Sequence, residues 1–182
     1  MMNEPVVILV TGISASGKST VAEGLARRFA RGVHVRGDLF RKMVVTGRAE
    51  MGPHAGSEAL DQLQLRYRLG AATADAYFDA GFSVVVQDVV IGPALVEYTK
   101  LIRSRPLCVV VLAPTSDVVL AREASRAKVA YGGHRYTVED LDAALRRDTP
   151  RIGLWIDSSA QTPDETVEQI IEQGWAVRDL NP

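Results

Sequence analysis

The sequence predicts an α/β fold, a parallel β-sheet lying between layers of helices. Three observations carry that expectation. Short apolar, mostly β-branched runs recur along the 182 residues, at "VVILVT" (6–11), "FSVVVQD" (82–88), "LCVVVL" (107–112) and "IGLWID" (152–157), with a weaker one at "VHVRG" (33–37). Near-continuous apolar runs of this length suit strands covered on both faces, as a parallel sheet requires. Helical periodicity fills the intervals between them, and this alternation is that of a doubly covered sheet. The length fits one domain spanning 1–182 with room for a real core, and 47% hydrophobic and 24% charged residues are ordinary for a globular chain. No internal repeat, low-complexity tract or linker interrupts it.

Each element follows from local pattern. The first run passes directly into "GISASGKST" (12–20), and "STVAEGLARRFA" behind it reads as a helix that Gly32 is placed to stop. A short helix is expected over "LFRKM" after Asp38. From Ser57 to Ala80, the residues Leu60, Leu63, Tyr67, Ala71, Ala74 and Phe78 fall on one helical face, and Gly81 follows as a natural terminator. "TVEDLDAALRR" from Thr137 has a weak capping signal. "TPDETVEQII" has a strong one: Thr162 at the N-cap, Pro163 at the first helical position and Glu165 three residues after the cap. Two glycine-bearing stretches, 44–57 and 127–136, carry no periodicity. Long loops in a compact domain are often lids or binding loops, with plain loop disorder the alternative.

Several classes of function are disfavoured. A net charge of −1 gives no general pull toward nucleic acid or an anionic membrane. Cys108 lies inside "LCVVVL", so a buried core thiol is expected, with no intramolecular disulfide and no cysteine-based zinc site. "MMNEPVVILVTG" shows no signal peptide and no stretch reaches bilayer length, so a cytoplasmic location is expected, with no membrane partner. His34, His54 and His134 lack ligand-like spacing and read as surface or loop residues. Trp155 and Trp175 read as core.

The chemistry concentrates in "GISASGKST", which matches G-x-x-x-x-G-K-[ST] between a buried strand and a helix. Gly12 and Gly17 let the backbone curl so that successive N–H groups point inward around phosphate oxygens. The helix beginning near Lys18 adds its positive end. Lys18 supplies a mobile charge for the β- and γ-phosphates, and the Ser19 hydroxyl suits Mg²⁺. Gly12, Ser14, Ala15, Ser16, Gly17, Lys18, Ser19 and Thr20 are thus the expected cradle for ATP, with Mg²⁺ as its companion.

What the bound nucleotide is used for depends on the rest. A guanine-reading N/T-K-x-D motif is missing, since "TKLI" (99–102) lacks the acid. A ring-forming ATPase needs a longer chain with a small helical domain, so size favours a small kinase. In "VRGDLFRKM" (35–43), Asp38 falls at the carboxyl end of the second strand, where ligands bind in such sheets. It could take the proton of an acceptor hydroxyl, or simply N-cap the next helix. Arg41 shares its helical face and could grip the acceptor. Asp88, ending "VVVQD", fits an acid that orders the metal side, or the acceptor hydroxyl. "REASRAKVAYGGHRY" (122–136) carries Arg122, Arg126, Lys128 and Arg135 around a glycine pair. These are cations for a closing lid over the γ-phosphate or a solvated basic segment. Lys18, Asp38, Arg126 and Arg135 are the expected catalytic residues. Arg146 and Arg147 are further candidates.

With these pieces in place, the chain resembles the small P-loop kinases of the nucleotide- and shikimate-kinase type, within the P-loop NTPases. More narrowly it is similar to the chloramphenicol phosphotransferase family. The similarity runs through the P-loop, the glycine–Asp turn, "GFSVVVQDVVIGPALVEY", "REASR" and "WIDSSAQTPDETVEQI". It implies a three-layer α/β/α sandwich with a five-stranded sheet of order 2-3-1-4-5. It also implies Asp38 as general base and Arg122 against adenine, opposite "SSAQTP". Where that family tends to have two adjacent acids, this chain has Gln87-Asp88. "GDLFRKM" also resembles the acid-x-x-Arg turn of polynucleotide 5′-kinases, with Asp38 as base and Arg41 on substrate phosphate. The expected activity is phosphoryl transfer from ATP to a hydroxyl of a small antibiotic, sugar or nucleoside-like molecule. The alternatives are a polynucleotide 5′-hydroxyl kinase and a non-catalytic ATP-binding regulatory module. A homo-oligomer is compatible with the sequence.

Overall fold

A computed structural model of the chain describes residues 4–125 and 136–174. The elements run β1 (Val7–Thr11), α1 (Lys18–Ala26), β2 (Gly32–Arg36), α2 (Gly37–Met43), α3 (Ser57–Asp79), β3 (Ser83–Gln87) and α4 (Ala94–Leu101). They continue with β4 (Leu107–Leu112), α5 (Ser116–Ala124), α6 (Val138–Asp148), β5 (Leu154–Ile156) and α7 (Pro163–Gly174). The strands form one sheet of order β2-β3-β1-β4-β5, and every pairing is parallel. This is the P-loop NTPase arrangement and the strand order expected above.

Every residue of β1, β3 and β4 is buried, which is why those segments read as continuous apolar runs. Alternation along the strands sends side chains to two cores. Val7, Leu9, Val84, Val86, Val109 and Val111 pack with Tyr67, Ala71 and Ala74 of α3, Leu95 and Tyr98 of α4, and Leu145 of α6. Ile8, Val10, Val85, Val110 and the buried Cys108 pack on the other face with Val21 and Leu25 of α1 and Val167 and Ile170 of α7. Burying each such side chain contributes roughly 1.5–3 kcal/mol, so the two cores hold the sheet edges in register.

Helix α3 ends as Gly81 implied. Gly81 has φ 80, its N–H bonds to Phe78 O at 2.8 Å, and the Phe82 N–H bonds to Tyr77 O at 3.1 Å. That is a Schellman stop, completed by the Tyr77–Phe82 ring contact at 5.8 Å. Thr162 and Glu165 exchange the bonds of a capping box at the start of α7, and Thr137 and Asp140 form an equally complete one on α6.

Four readings need correction. Leu60 is 50% exposed while Ala59 is buried, because the first turn of α3 meets the 44–56 segment and reaches the sheet only further along. Helix α1 ends at Ala26, so Gly32 does not stop it but opens β2. The strand read over 152–157 contracts to Leu154–Ile156. His34 is a strand residue rather than a surface one: its ring is 8% exposed, with Nδ1 3.0 Å from Glu23 Oε2. His54 is exposed, as read. Trp155 packs on the core with Arg151 over its ring. Trp175, Arg126, Lys128, His134 and Arg135 lie outside the described residues. No helix among the described residues is long and apolar enough to cross a membrane.

Candidate active site

The loop between β1 and α1 has the backbone of an anion cradle. Gly12 takes φ 145, and a Cβ there would lie 2.4 Å from Leu112 O and 2.8 Å from Ser16 Oγ, so no other residue fits. Gly17 takes φ 96 and Ala15 takes φ 61. A non-glycine residue in the left-handed region costs roughly 1–2 kcal/mol, and the loop tolerates that to aim its N–H groups. Lys18 is 6% exposed and donates through Nζ to Ile13 O at 2.6 Å, folding its ammonium across the loop. The buried Ser16 hydroxyl has no hydrogen-bond partner among the described residues. An unpartnered hydroxyl beside left-handed backbone and a helix N-terminus fits a phosphate ligand.

Strand alternation divides the two residues at the end of β3. Gln87 follows Val85 toward α1, and Ser19 donates its hydroxyl to Gln87 Oε1 at 3.1 Å. Asp88 follows Val84 and Val86 toward α3, where Arg66 holds it in a fork: Nε to Oδ2 at 2.9 Å and Nη2 to Oδ1. The side chain hydrogen-bonded to Ser19 is therefore the neutral Gln87, while Asp88 is gripped by Arg66. Asp88 is 2% exposed and also accepts the Val89 N–H at 2.7 Å. Burial pushes its carboxyl above the usual range, and Arg66 is the strongest opposing influence, with Lys18 adding to it. Among the described residues no group of three His, Cys, Asp or Glu side chains is placed to hold a metal. Mg²⁺ at this site would rest on Ser19 and the nucleotide's own phosphates, which fits a hydroxyl braced by an amide.

Asp38 sits in the first turn of α2, at the carboxyl edge of the sheet. The N-cap is Arg36, which makes no side-chain cap bond, so Asp38 is not the helix cap. Its Oδ2 lies 2.8 Å from Lys42 Nζ, and Arg36 Nε stands 3.8 Å from Oδ1. Helix α2 is seated directly on Asp88: a Cβ on Gly37 would lie 2.0 Å from Asp88 Oδ2. Arg41 turns to Glu50, contacting both carboxylate oxygens at 2.5 Å. The 44–56 segment is clipped to α3 by Gln62, which accepts the Ala49 N–H at 3.0 Å and donates to Gly47 O at 2.8 Å.

On the other side of the loop, Arg122 of α5 bridges two walls. Nη1 donates to Ser16 O at 3.2 Å and Nη2 to Ser158 O at 3.1 Å. Between them opens a cleft of about 280 Å³ lined by Ala15, Ser16, Gly17, Thr20, Ser158 and Gln161. The Ser158 hydroxyl is buried and, like that of Ser16, has no hydrogen-bond partner among the described residues. Arg146 is committed to Asp142 and to Ala113 O and Pro114 O, pinning α6 to the end of β4. Arg147 pairs with Asp148 in solvent.

The sequence profile described as AAA domain matches residues 7–150, from β1 past the end of α6. The chain belongs to that family. Solved structures place this AAA-domain protein beside small kinases. An unliganded sugar kinase from Janibacter sp. HTCC2649 shares 20% identity with a TM-score of 0.65, covering 96% of this chain and 95% of its own. A gluconokinase from Sinorhizobium meliloti 1021 shares 19% with a TM-score of 0.65, over 97% and 95%. The Mycobacterium tuberculosis APS kinase, in complex with AMPPNP and APS, shares 18% with a TM-score of 0.63, over 94% and 98%. At such identities the likeness establishes the fold alone, that of a P-loop NTPase. No curated protein matches the sequence.

Two residues of the AAA-domain site, Gln87 and Arg66, escape a reading of motifs. Counting alternation forward from Val85 would have turned Gln87 toward α1. Arg66 has no such signal, because its pairing joins a helix to a strand end 22 residues away.

Proposed function

We propose that the protein is an ATP-dependent phosphotransferase that moves the γ-phosphate of ATP to a hydroxyl of a small molecule. One observation carries this reading: the phosphate cradle and two carboxylates, Asp38 and Asp88, converge on the same edge of the sheet. A nucleotide-binding module without chemistry would need the cradle but has no use for Asp38 at that edge. The polynucleotide 5′-kinase reading assigns Arg41 to a substrate phosphate, and here Arg41 Nη1 faces both carboxylate oxygens of Glu50 instead.

In this scheme the adenine occupies the cleft beside Arg122, and the loop N–H groups and Lys18 hold the phosphates. Ser19, braced by Gln87, is the residue that would hold Mg²⁺, which when bound would supply charge neutralisation. Asp38 accepts the hydrogen bond of the acceptor hydroxyl, aligns its oxygen and takes its proton as the new P–O bond forms. Arg126 and Arg135 supply the lid cations of the scheme.

ADP release measured against a panel of hydroxylated antibiotics, sugars and nucleosides, with a 5′-hydroxyl oligonucleotide included, tests it. Acceptor-stimulated ADP release with a phosphorylated product supports the reading, and nucleotide binding without any transfer sinks it. Arg122→Ala is expected to weaken ATP binding by roughly 5- to 30-fold, the weight of a cation stacked on a desolvated ring. Calorimetry of nucleotide binding measures it, and unchanged affinity would move the adenine elsewhere.

A further inference from the structure

Arg66 lies midway along α3, one residue before Tyr67, and its side chain is 14% exposed against 3% for the Asp88 carboxylate it grips. The carboxylate is held on more than one side. Asp88 accepts the Val89 N–H, its own N–H bonds Val10 O in β1 at 3.3 Å, and its carboxylate lies under Gly37, the residue before Asp38. Tyr67 donates to Val89 O at 2.9 Å, so α3 grips the same turn twice in succession. Thr11 and Val90 exchange hydrogen bonds at 2.8 and 2.9 Å, tying this turn to the last residue before the phosphate loop.

We propose that Arg66 is a positioning residue for phosphoryl transfer, acting through Asp88 on the acceptor side of the site. This rests on the phosphotransferase reading above. The two-pronged guanidinium fixes both carboxylate oxygens, and the carboxylate in turn sets how closely α2 approaches the end of β3. That spacing fixes where Asp38 stands relative to the phosphates. Without Arg66, a buried carboxylate loses its compensating cation and leaves its seat, and α2 moves with it. The phosphate cradle lies on β1, α1 and the loop between them, joined to this turn by the Asp88–Val10 and Thr11–Val90 hydrogen bonds, and those ties are expected to hold it without Arg66.

The test is Arg66→Met, Arg66→Lys and Asp88→Asn, and the double variant of Arg66→Met with Asp88→Asn, assayed with ATP and the best acceptor of the panel. Arg66→Met is expected to lower kcat for transfer about 100-fold, the scale of a misplacement near 1 Å, with ATP affinity within twofold of wild type. Arg66→Lys should recover part of the loss, because it restores the charge without the fork. In the double variant the losses should not multiply, since both changes act on one element. The double variant also leaves no buried charge unpaired, so it reports on transfer even where Arg66→Met alone fails to fold. Wild-type transfer in Arg66→Met or in the double variant overturns the assignment, as do losses that multiply. Absence of transfer by the unaltered protein to every acceptor overturns the phosphotransferase reading and the assignment together.

Discussion

Lys18→Ala protein should melt close to the wild type yet turn over ATP roughly 10²- to 10³-fold more slowly. Loss of one well-placed donor to developing charge costs about 2.7–4 kcal/mol in water-excluded sites, which is that range in rate. The fold should survive for two reasons. Alanine is a good helix former at the first position of α1, and the side chain's hydrogen bond to Ile13 O lies within its own loop. Steady-state ADP release together with thermal melting measures both arms. Wild-type turnover would remove Lys18 from the phosphates, and a collapsed melting transition would make it a structural residue.

Asp38→Asn should leave ATP affinity intact and lower transfer to the acceptor by roughly 10²- to 10⁴-fold, the span attributed to a positioned general base. Asparagine keeps the shape and one acceptor oxygen but cannot take the proton. The fold offers a clean background, because Asp38 is not the cap of α2 and its loss does not unmake a helix start. The Lys42 pair is partly open to solvent, at 46% and 28% exposure, so breaking it costs no more than about 1 kcal/mol. Product formation with the acceptor, set against nucleotide affinity by calorimetry, separates the effects. Equal transfer by both proteins would deny Asp38 any part in the chemistry.

The parts legible in the sequence are those set by local physics. Strands buried on both faces show as apolar runs, and Gly81 announces its stop because few other residues take that backbone. The capping box before α7 is visible because its partners sit three residues apart. What escapes is set by placement in space. Leu60 has the right period for the core, yet the helix reaches past the sheet at that end. Asp88 has the right neighbours for a metal-side acid. What the sequence does not show is that the pleat sends it to Arg66 and brings Gln87 to Ser19. Arg66 becomes visible only once α3 lies across the end of β3.

The bridge made by Arg122 has a kinetic consequence. Its guanidinium joins the backbone of Ser16 to that of Ser158, so the fold itself ties the two walls of the cleft. Freezing a long side chain at the moment of association typically costs about 0.5–1.5 kcal/mol. Here that ordering is completed during folding. On the proposed reading, nucleotide association is expected to be limited by encounter rather than by a search among arginine rotamers, with differences in affinity between nucleotides residing in how fast they leave.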